Sequence, residues 1–248
     1  MLTTGELERY DRQIIIKGFG KEGQEKLKRA RVVIAGGGGL GSPSSIYLAA
    51  AGVGVLRIVD YDRVELSNLN RQVLHWDEDI GRRKIDSAAE KLRKLNQRVE
   101  VETIEEKITE ANVSRLVAGF DLIVDAMDNL PTRYLLNKAA IDRNIPFFHG
   151  AVYGFEGRAM TIIPGETACL ECVYHGATTP EEKFPVIGVA PAIIGCIQAT
   201  EVIKYIVGIG ELLTNRLLIY DGLSLKFTEF KVKKDQNCKH CGHLGGKE

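Results

Sequence analysis

From residue 31 onward, short apolar runs alternate with amphipathic stretches. RVVIA (31–35) has the length and β-branched content of a buried strand. GGGGLG (36–41) follows as a tight turn, and the small residues of 42–51 read as a helix. The unit recurs: strand VLRIVD ending at Asp60, helix near 84–95, strand near 99–104, helix near 110–118, strand DLIVD (121–125), helix near 130–143, strand PFFHG. Strands separated by helical crossovers pair in parallel. GRAMTIIP, LLIYDG and LKFTEFKVK then read as antiparallel strands around one long helix. The predicted fold is therefore α/β, a Rossmann-like, doubly wound, mostly parallel sheet extended by antiparallel strands. The first thirty residues, with Leu7, Tyr10, Ile14 and Leu27 among charges, predict a helical arm.

The most apolar long stretch, 190–210, carries Gln198, Glu201 and Lys204 at intervals of three, which predicts one wet stripe on a buried helix and no membrane span. The opening MLTTGELERYDRQ places charges where an export signal needs an apolar core. With 248 residues, 44% of them hydrophobic, the chain can bury a full core, which excludes a small disulfide-stapled or disordered protein. Its 33 Lys and Arg balance 33 Asp and Glu, so bulk charge recommends neither nucleic acid nor a membrane as partner. Five cysteines, four of them in two C-x-x-C pairs, point to a reducing compartment, and the expected location is the cytoplasm.

Gly36, Gly38 and Gly41 form G-x-G-x-x-G between a strand and a helix, with Gly39 inside the same turn. Backbone amides there can approach a phosphate at the positive end of the helix. Asp60, ending the next strand, stands where a carboxylate accepts ribose hydroxyls. These features alone leave NAD, FAD, ATP and a ligand-free structural turn all open. The run DYDRVELSNLNRQ (60–72) then puts Asp62, Asn68, Arg71 and Gln72 directly beyond the ribose acid, where a redox cofactor has no evident use for them. Arg71 offers a planar fork for phosphate oxygens, Lys84 a point charge, and Asp128 a carboxylate for Mg²⁺ against a triphosphate. Each has an ordinary reading too: Arg71 and Lys84 as solvated helix charges, Asp128 as the cap of the next helix.

Cys169 with Cys172, and Cys238 with Cys241, supply four thiolates in the number that Zn²⁺ takes in structural sites; a redox disulfide in one pair is the alternative. His240 and His243 lie beside the second pair, but four cysteines already close a site. Cys196, among apolar neighbours, is expected to be a packed thiol. His149 is expected to pack in the core or behind the site, and His75 and Trp76 to pack a lid. The terminal HLGGKE holds Gly245 and Gly246, but Lys247 and Glu248 follow, so it is read as a flexible end and not as a carrier tail.

Taken together, GGGGLG, the D-x-D-x-V-x-x-S-N-L-x-R-Q run, the Lys of GRRKIDSA, the D-x-x-D-N turn and the two C-x-x-C pairs resemble the MoeB/ThiF/HesA family, relatives of ubiquitin-activating enzymes, over nearly the whole chain. The likeness is nearest to MoeB-type enzymes, which adenylate the C-terminal glycine of a small ubiquitin-like sulfur carrier. The resemblance implies an ATP site lined by Gly36, Gly38, Gly39 and Gly41, with Asp60 and Asp62 at the ribose, Asn68, Arg71, Gln72 and Lys84 toward the phosphates, and Asp128 serving Mg²⁺. It implies a homodimer in which Arg12 of RYDRQ reaches the triphosphate of the neighbouring subunit. It also implies one adenylation domain over 1–248, made of an arm (1–30), a nucleotide-binding half (31–150) and a carrier-binding half (151–248), with a zinc that pins the C-terminus and takes no part in catalysis.

Many relatives carry a cysteine in the loop over the carrier's tail; HGATTPEEKFPVIG (175–188) has none, and Phe184 stands in that place. The implied product is an acyl-adenylate passed to a separate sulfur donor, such as a cysteine desulfurase. The pathway, whether molybdopterin, thiamine or tRNA thiolation, is left open. Activation of another carboxylate, a peptide or an amino acid, is the alternative function; an NAD-binding oxidoreductase would leave Arg71, Lys84 and Asp128 without a task, and a non-catalytic scaffold would not need them intact.

Overall fold

The computed structural model describes residues 1–178 and 184–244. Three short helices, α1 (Thr4–Arg9), α2 (Asp11–Ile14) and α3 (Gly20–Arg29), make the arm. Thr3 and Glu6 cap α1 reciprocally, and Gly18 and Gly20 at positive φ turn the chain into α3. Then follow β1 (Arg31–Ala35), α4 (Gly41–Ala51), β2 (Val55–Val59), α5 (Lys84–Leu95), β3 (Glu100–Ile104), α6 (Val113–Leu116), β4 (Leu122–Asp125), α7 (Leu130–Arg143), β5 (Phe147–Tyr153) and β6 (Glu156–Ile162). The chain ends through α8 (Leu170–Tyr174), α9 (Val189–Val207), β7 (Arg216–Asp221) and β8 (Lys226–Lys231).

Among the described residues, the eight strands belong to one sheet, ordered β3-β2-β1-β4-β5-β6-β7-β8. The first five are parallel and the last three are added antiparallel, as the hydrophobic pattern predicts. Val33 lies beside Arg57 on one side and Ile123 on the other, so β1 is central and apolar on both faces. Val32 and Ile34 enter a core with α4, α5 and α9, whereas Val33 and Ala35 enter a second core with α6, α7 and the cysteine segments. Strand order reverses between β1 and β4, and the cleft of this fold class opens there, beyond the strands' carboxyl ends.

Two expectations need correction. The helix expected over 110–118 shrinks to the four residues of α6, because the Asn112 side chain bonds the main chain at Lys107 and Thr109 and so competes with helix growth. The wet stripe on α9 is dry: Gln198 and Glu201 are buried, with Gln198 Nε2 donating to the carbonyls of Asp125 (2.7 Å) and Phe148 (2.8 Å). Glu201 accepts from the Thr161 hydroxyl and the Leu213 N–H, both at 2.6 Å, and pairs with Lys204. Helix α9 is long and apolar enough to cross a membrane by composition, yet it packs on α4 and on β5 and β6 of the sheet.

Candidate functional site

The glycine turn runs from β1 into the first turn of α4, so its amides stand at the positive end of an eleven-residue helix. Two of its glycines are required by packing. A Cβ on Gly36, which has φ +107°, would lie 2.6 Å from the Ala126 carbonyl oxygen, and one on Gly41 only 2.0 Å from that of Gly36. A Cβ on Gly38 would meet only the Gln72 amide, at 3.5 Å, so this position is open to an incoming group. The Gln72 side chain is buried, and its Oε1 has no hydrogen-bond partner, the signature of an acceptor waiting for a donor from a ligand or water.

Asp60, just past β2, holds the turn by accepting from the Gly37 N–H (2.7 Å) and the Asp62 N–H (2.8 Å). Burial raises its pKa, opposed by the charge of Lys84 and by those two N–H bonds. Lys84 begins α5, an unfavourable place for a cation by the helix dipole; it is buried and its Nζ donates to Asp62 Oδ2 at 2.8 Å. Asn68 closes a short 3₁₀ turn, its Oδ1 accepting from the Glu65 N–H at 3.2 Å. Arg71 donates to the Ser67 carbonyl (2.9 Å) and the Asn70 side chain (3.0 Å).

Asn129, not Asp128, caps α7, its Oδ1 accepting from the Thr132 N–H at 2.9 Å; this removes the ordinary reading of Asp128 and leaves its carboxylate exposed in the cleft. Gly36, Gly38, Gly39, Asp60, Asp62, Asn68, Arg71, Gln72, Lys84 and Asp128 line one cavity of about 1160 Å³. Gly41 sits behind the wall as the hinge of the turn. The cavity continues along Tyr153, Arg158, Tyr174, Phe184 and Val186, and exceeds the roughly 300–1,000 Å³ of a small-molecule pocket, leaving room for a nucleotide and an extended peptide. Residues 179–183, and Gly245, Gly246, Lys247 and Glu248, lie outside the described residues. Arg12, on α2, is exposed and lies outside the cleft of its own chain.

Sequence reasoning missed two of the residues that hold this constellation, His75 and Arg133, and anticipated the buried place of His149. His75 is not part of a lid: its Nε2 donates to the Gly37 carbonyl and its Nδ1 accepts from Ser87, both at 2.9 Å. Burial lowers its pKa to about 4, so the ring is neutral, with the Nε2 proton fixed by the carbonyl it faces. Trp76 is the exposed member of the pair, under the Lys91 ammonium. Behind Asp128, Arg133 donates to the carbonyls of Met127 (2.6 Å) and Gly150 (2.9 Å) with its Nε 3.3 Å from Asp125. Asp125 also faces His149 Nδ1 at 2.7 Å, and His149 Nε2 faces the Tyr174 hydroxyl at 3.1 Å. His149 is buried, which lowers its pKa against the pull of Asp125. The partners of His75 and Arg133 are main-chain atoms or residues far along the chain, so the sequence marks the place only by the D-x-x-D-N turn and by His149.

The four paired cysteines meet on the α7 side of the sheet, all sulfurs within 4.8 Å of one another. Three pairs are 3.5, 3.6 and 3.9 Å apart. Four thiolates about 2.3 Å from one ion stand about 3.8 Å apart, so the donor set fits a tetrahedral metal. Burial pushes the Cys169 thiol up to about 12, a shift that a bound cation reverses by displacing the proton. Asn137 on α7 ties both knuckles together, accepting from the Leu170 N–H and facing His240 Nδ1, each at 3.0 Å; His240 is thus engaged away from the sulfurs. Cys196 is half-buried, not a core thiol, and lines a separate surface hollow beside Gln13 and Tyr47; burial raises its pKa.

The sequence profile of the ThiF family matches residues 10–240. The SAMP-activating enzyme E1 of Haloferax volcanii is 46% identical over 98% of this chain and 92% of its own length. The sulfur carrier protein adenylyltransferase of Thermus thermophilus is 43% identical over 97% of this chain and 92% of its own. Among solved structures, E. coli MccB with AMPCPP and MccA superposes with a TM-score of 0.82 at 26% identity, covering 94% of this chain and 74% of MccB.

Proposed function

The chain belongs to the ThiF family and is an adenylyltransferase, and from that premise we propose that it uses ATP to adenylylate the C-terminal glycine of a ubiquitin-like sulfur-carrier protein. The observation that carries this reading is the single cleft that gathers an open glycine, the cations Arg71 and Lys84 and the exposed Asp128 carboxylate, then runs on as a groove wide enough for a peptide tail. A carboxylate oxygen of the carrier attacks the α-phosphorus; the bond from that phosphorus to the bridging oxygen breaks and pyrophosphate leaves, giving an acyl-adenylate. The attacking carboxylate is already ionised at neutral pH, so no general base is needed. The protein positions two anions against each other and neutralises their repulsion.

Arg71 and Lys84 would take phosphate oxygens, with Lys84 leaving Asp62 to do so, and Asp60 and Asp62 would hold the ribose, a reading supported by their sharing one cleft wall. Asn68 and Gln72, in the same wall, would complete the phosphate site. Asp128 would hold Mg²⁺, which screens the triphosphate charge. The cysteine cluster would hold Zn²⁺ as a structural clamp. Arg12 would serve the cleft of a second subunit in a homodimer, a reading supported by its exposure and by its not lining the cleft of its own chain. Segments 1–30, 31–150 and 151–248 then act as arm, nucleotide half and carrier half of one unit. The reaction belongs in the cytoplasm, where thiolates stay reduced. Phe184 in the cleft wall, and the lack of any cysteine over 173–188, favour release of the acyl-adenylate to a separate sulfur donor such as a cysteine desulfurase.

ATP–pyrophosphate exchange with Mg²⁺, alone and with each diglycine-ended small protein of the same cell, tests the reading. Exchange that requires one carrier and disappears in Asp128→Ala is expected, with Arg71→Ala about a hundredfold slower. ATP binding without exchange on any carrier would instead favour the second reading, activation of a peptide, to which the likeness to the MccB structure holding MccA lends weight.

A further inference from the structure

Asp125 and His149 are buried side by side, and their hydrogen bonds run outward to one hydroxyl in the cleft wall, that of Tyr174. Asp125 is surrounded by donors. Its Oδ1 accepts from the Met127 N–H at 3.1 Å, and its Oδ2 lies 3.3 Å from Arg133 Nε and 2.7 Å from His149 Nδ1. An ionised carboxylate only accepts, so Nδ1 carries the proton of that contact. Burial lowers the His149 pKa and so favours the neutral ring, which has one proton and leaves Nε2 a bare acceptor. Nε2 faces the Tyr174 hydroxyl at 3.1 Å, so the phenolic proton points at His149 and the lone pairs of the phenolic oxygen are left for the cleft.

The tyrosine is held in this orientation from two sides. It closes α8, which Asn137 fixes by accepting from the Leu170 N–H at 3.0 Å. Its ring stands edge-on to the His149 imidazole, with centroids 5.7 Å apart and planes at 75°. An oxygen oriented this way selects what it can meet. Phosphate and carboxylate oxygens are acceptors at neutral pH and find no donor in it. A peptide tail running past Tyr153 and Phe184 brings main-chain N–H groups, each of which needs an acceptor once water is excluded. Asp125, at the inner end of the chain of bonds, belongs to the same D-x-x-D-N turn as Asp128, so Tyr174 is tied to the end of the groove where the reacting carboxylate would lie.

We propose that the Tyr174 hydroxyl accepts a main-chain N–H from the last two residues of the carrier's tail, with His149 and Asp125 as positioning residues that turn its lone pairs into the cleft. This rests on the carrier-adenylylation reading above. It narrows the substrate to a carboxylate that follows a secondary amide, which excludes a tail closed by proline and any non-peptide acid.

The test measures kcat/KM for the carrier in ATP–pyrophosphate exchange. The substrates are semisynthetic forms of the diglycine-ended protein that supports wild-type exchange: the native tail, and tails in which glycolic acid replaces one glycine or the other, so that an ester oxygen stands in place of one N–H. With wild type, one of the esters should lower the value about tenfold. Tyr174→Phe should lose about as much on the native tail and nothing further on that ester, with KM for ATP unmoved. The ester penalty should survive in His149→Gln, whose amide can donate to Asp125 and accept from Tyr174, and shrink in His149→Leu. No penalty at either position, or the same penalty in Tyr174→Phe as in wild type, overturns the proposal while leaving carrier adenylylation standing. A melting temperature lowered in Tyr174→Phe beside an unchanged penalty would make the hydroxyl a structural bond only. A penalty in His149→Leu equal to that of wild type removes His149 as a positioning residue. Failure of wild type to exchange with any carrier removes the parent reading and this one with it.

Discussion

A methyl group added at Gly36 would drive into the Ala126 carbonyl, whereas one added at Gly38 would find only the end of Gln72. Two positions of one motif therefore separate fold from binding. Gly36→Ala, at φ +107°, is expected to lower the melting temperature steeply. Gly38→Ala should melt near wild type and raise KM for ATP several-fold, a split that thermal denaturation and exchange kinetics resolve. The chemistry-bearing residues were legible because they cluster in the sequence: Asp60 to Gln72 is one run, and Asp128 sits in one turn. Their supports were not. The lid expected at His75 fails because nothing local reveals that its ring reaches back to Gly37, and Arg133 looks like any helix arginine until Met127 and Gly150 are seen to accept from it.

Elements were legible where a period was clear and misread where burial contradicts residue type. Helix α5 runs over 84–95 as its amphipathic pattern predicts, with Leu92 buried and Arg93 and Lys94 in the last turn. On α9 the polar residues at intervals of three looked solvated, but carbonyls at the ends of β4 and β5 need donors, and Gln198 supplies them. Helix α8 is only five residues long and cannot stand alone; it is held by Asn137 and by the sulfur cluster at its N-terminus. Removing metal with a strong chelator, or replacing Cys241 by serine, is therefore expected to lower the melting temperature and to expose 169–174 and the C-terminal knuckle to protease first. A melting curve unmoved by chelation would mean that the cysteines close the site without an ion.

Across the whole molecule, acid stability should follow the buried imidazoles. His75 has a folded pKa of about 4 against 6.5 for the free ring, so between those values the unfolded chain binds a proton that the native protein refuses. Stability should fall as pH drops from about 6.5 to about 4, by about 3 kcal/mol from this ring, and His149 is shifted in the same direction. Burial opposes ionisation of Asp79, but Lys91 and the Trp76 N–H outweigh it and hold it at about 2; its contribution is lost only as pH falls from about 4 toward 2. Urea titrations at several pH values would show the two windows. Assembly is tested separately: mixing Arg12→Ala with Asp128→Ala chains should restore about a quarter of the wild-type rate if Arg12 acts across a two-fold dimer, and none if it acts within its own chain.

Strand β5 runs unbroken from Phe147, beside Ile123 of the nucleotide half, to Tyr153 on the cleft's rim. It is clamped on one side by β4 and along its full length by β6. The distance between the ring of His149, tied to the Asp125 carboxylate, and the rim at Tyr153 is thus a fixed rod of about 13 Å, four residues at roughly 3.3 Å each. An extended tail advances by nearly the same increment, so a rigid enzyme of this build measures its substrate in whole residues. A carrier with one residue removed ahead of its diglycine would dock and yet hold its carboxylate a full step short of the phosphate.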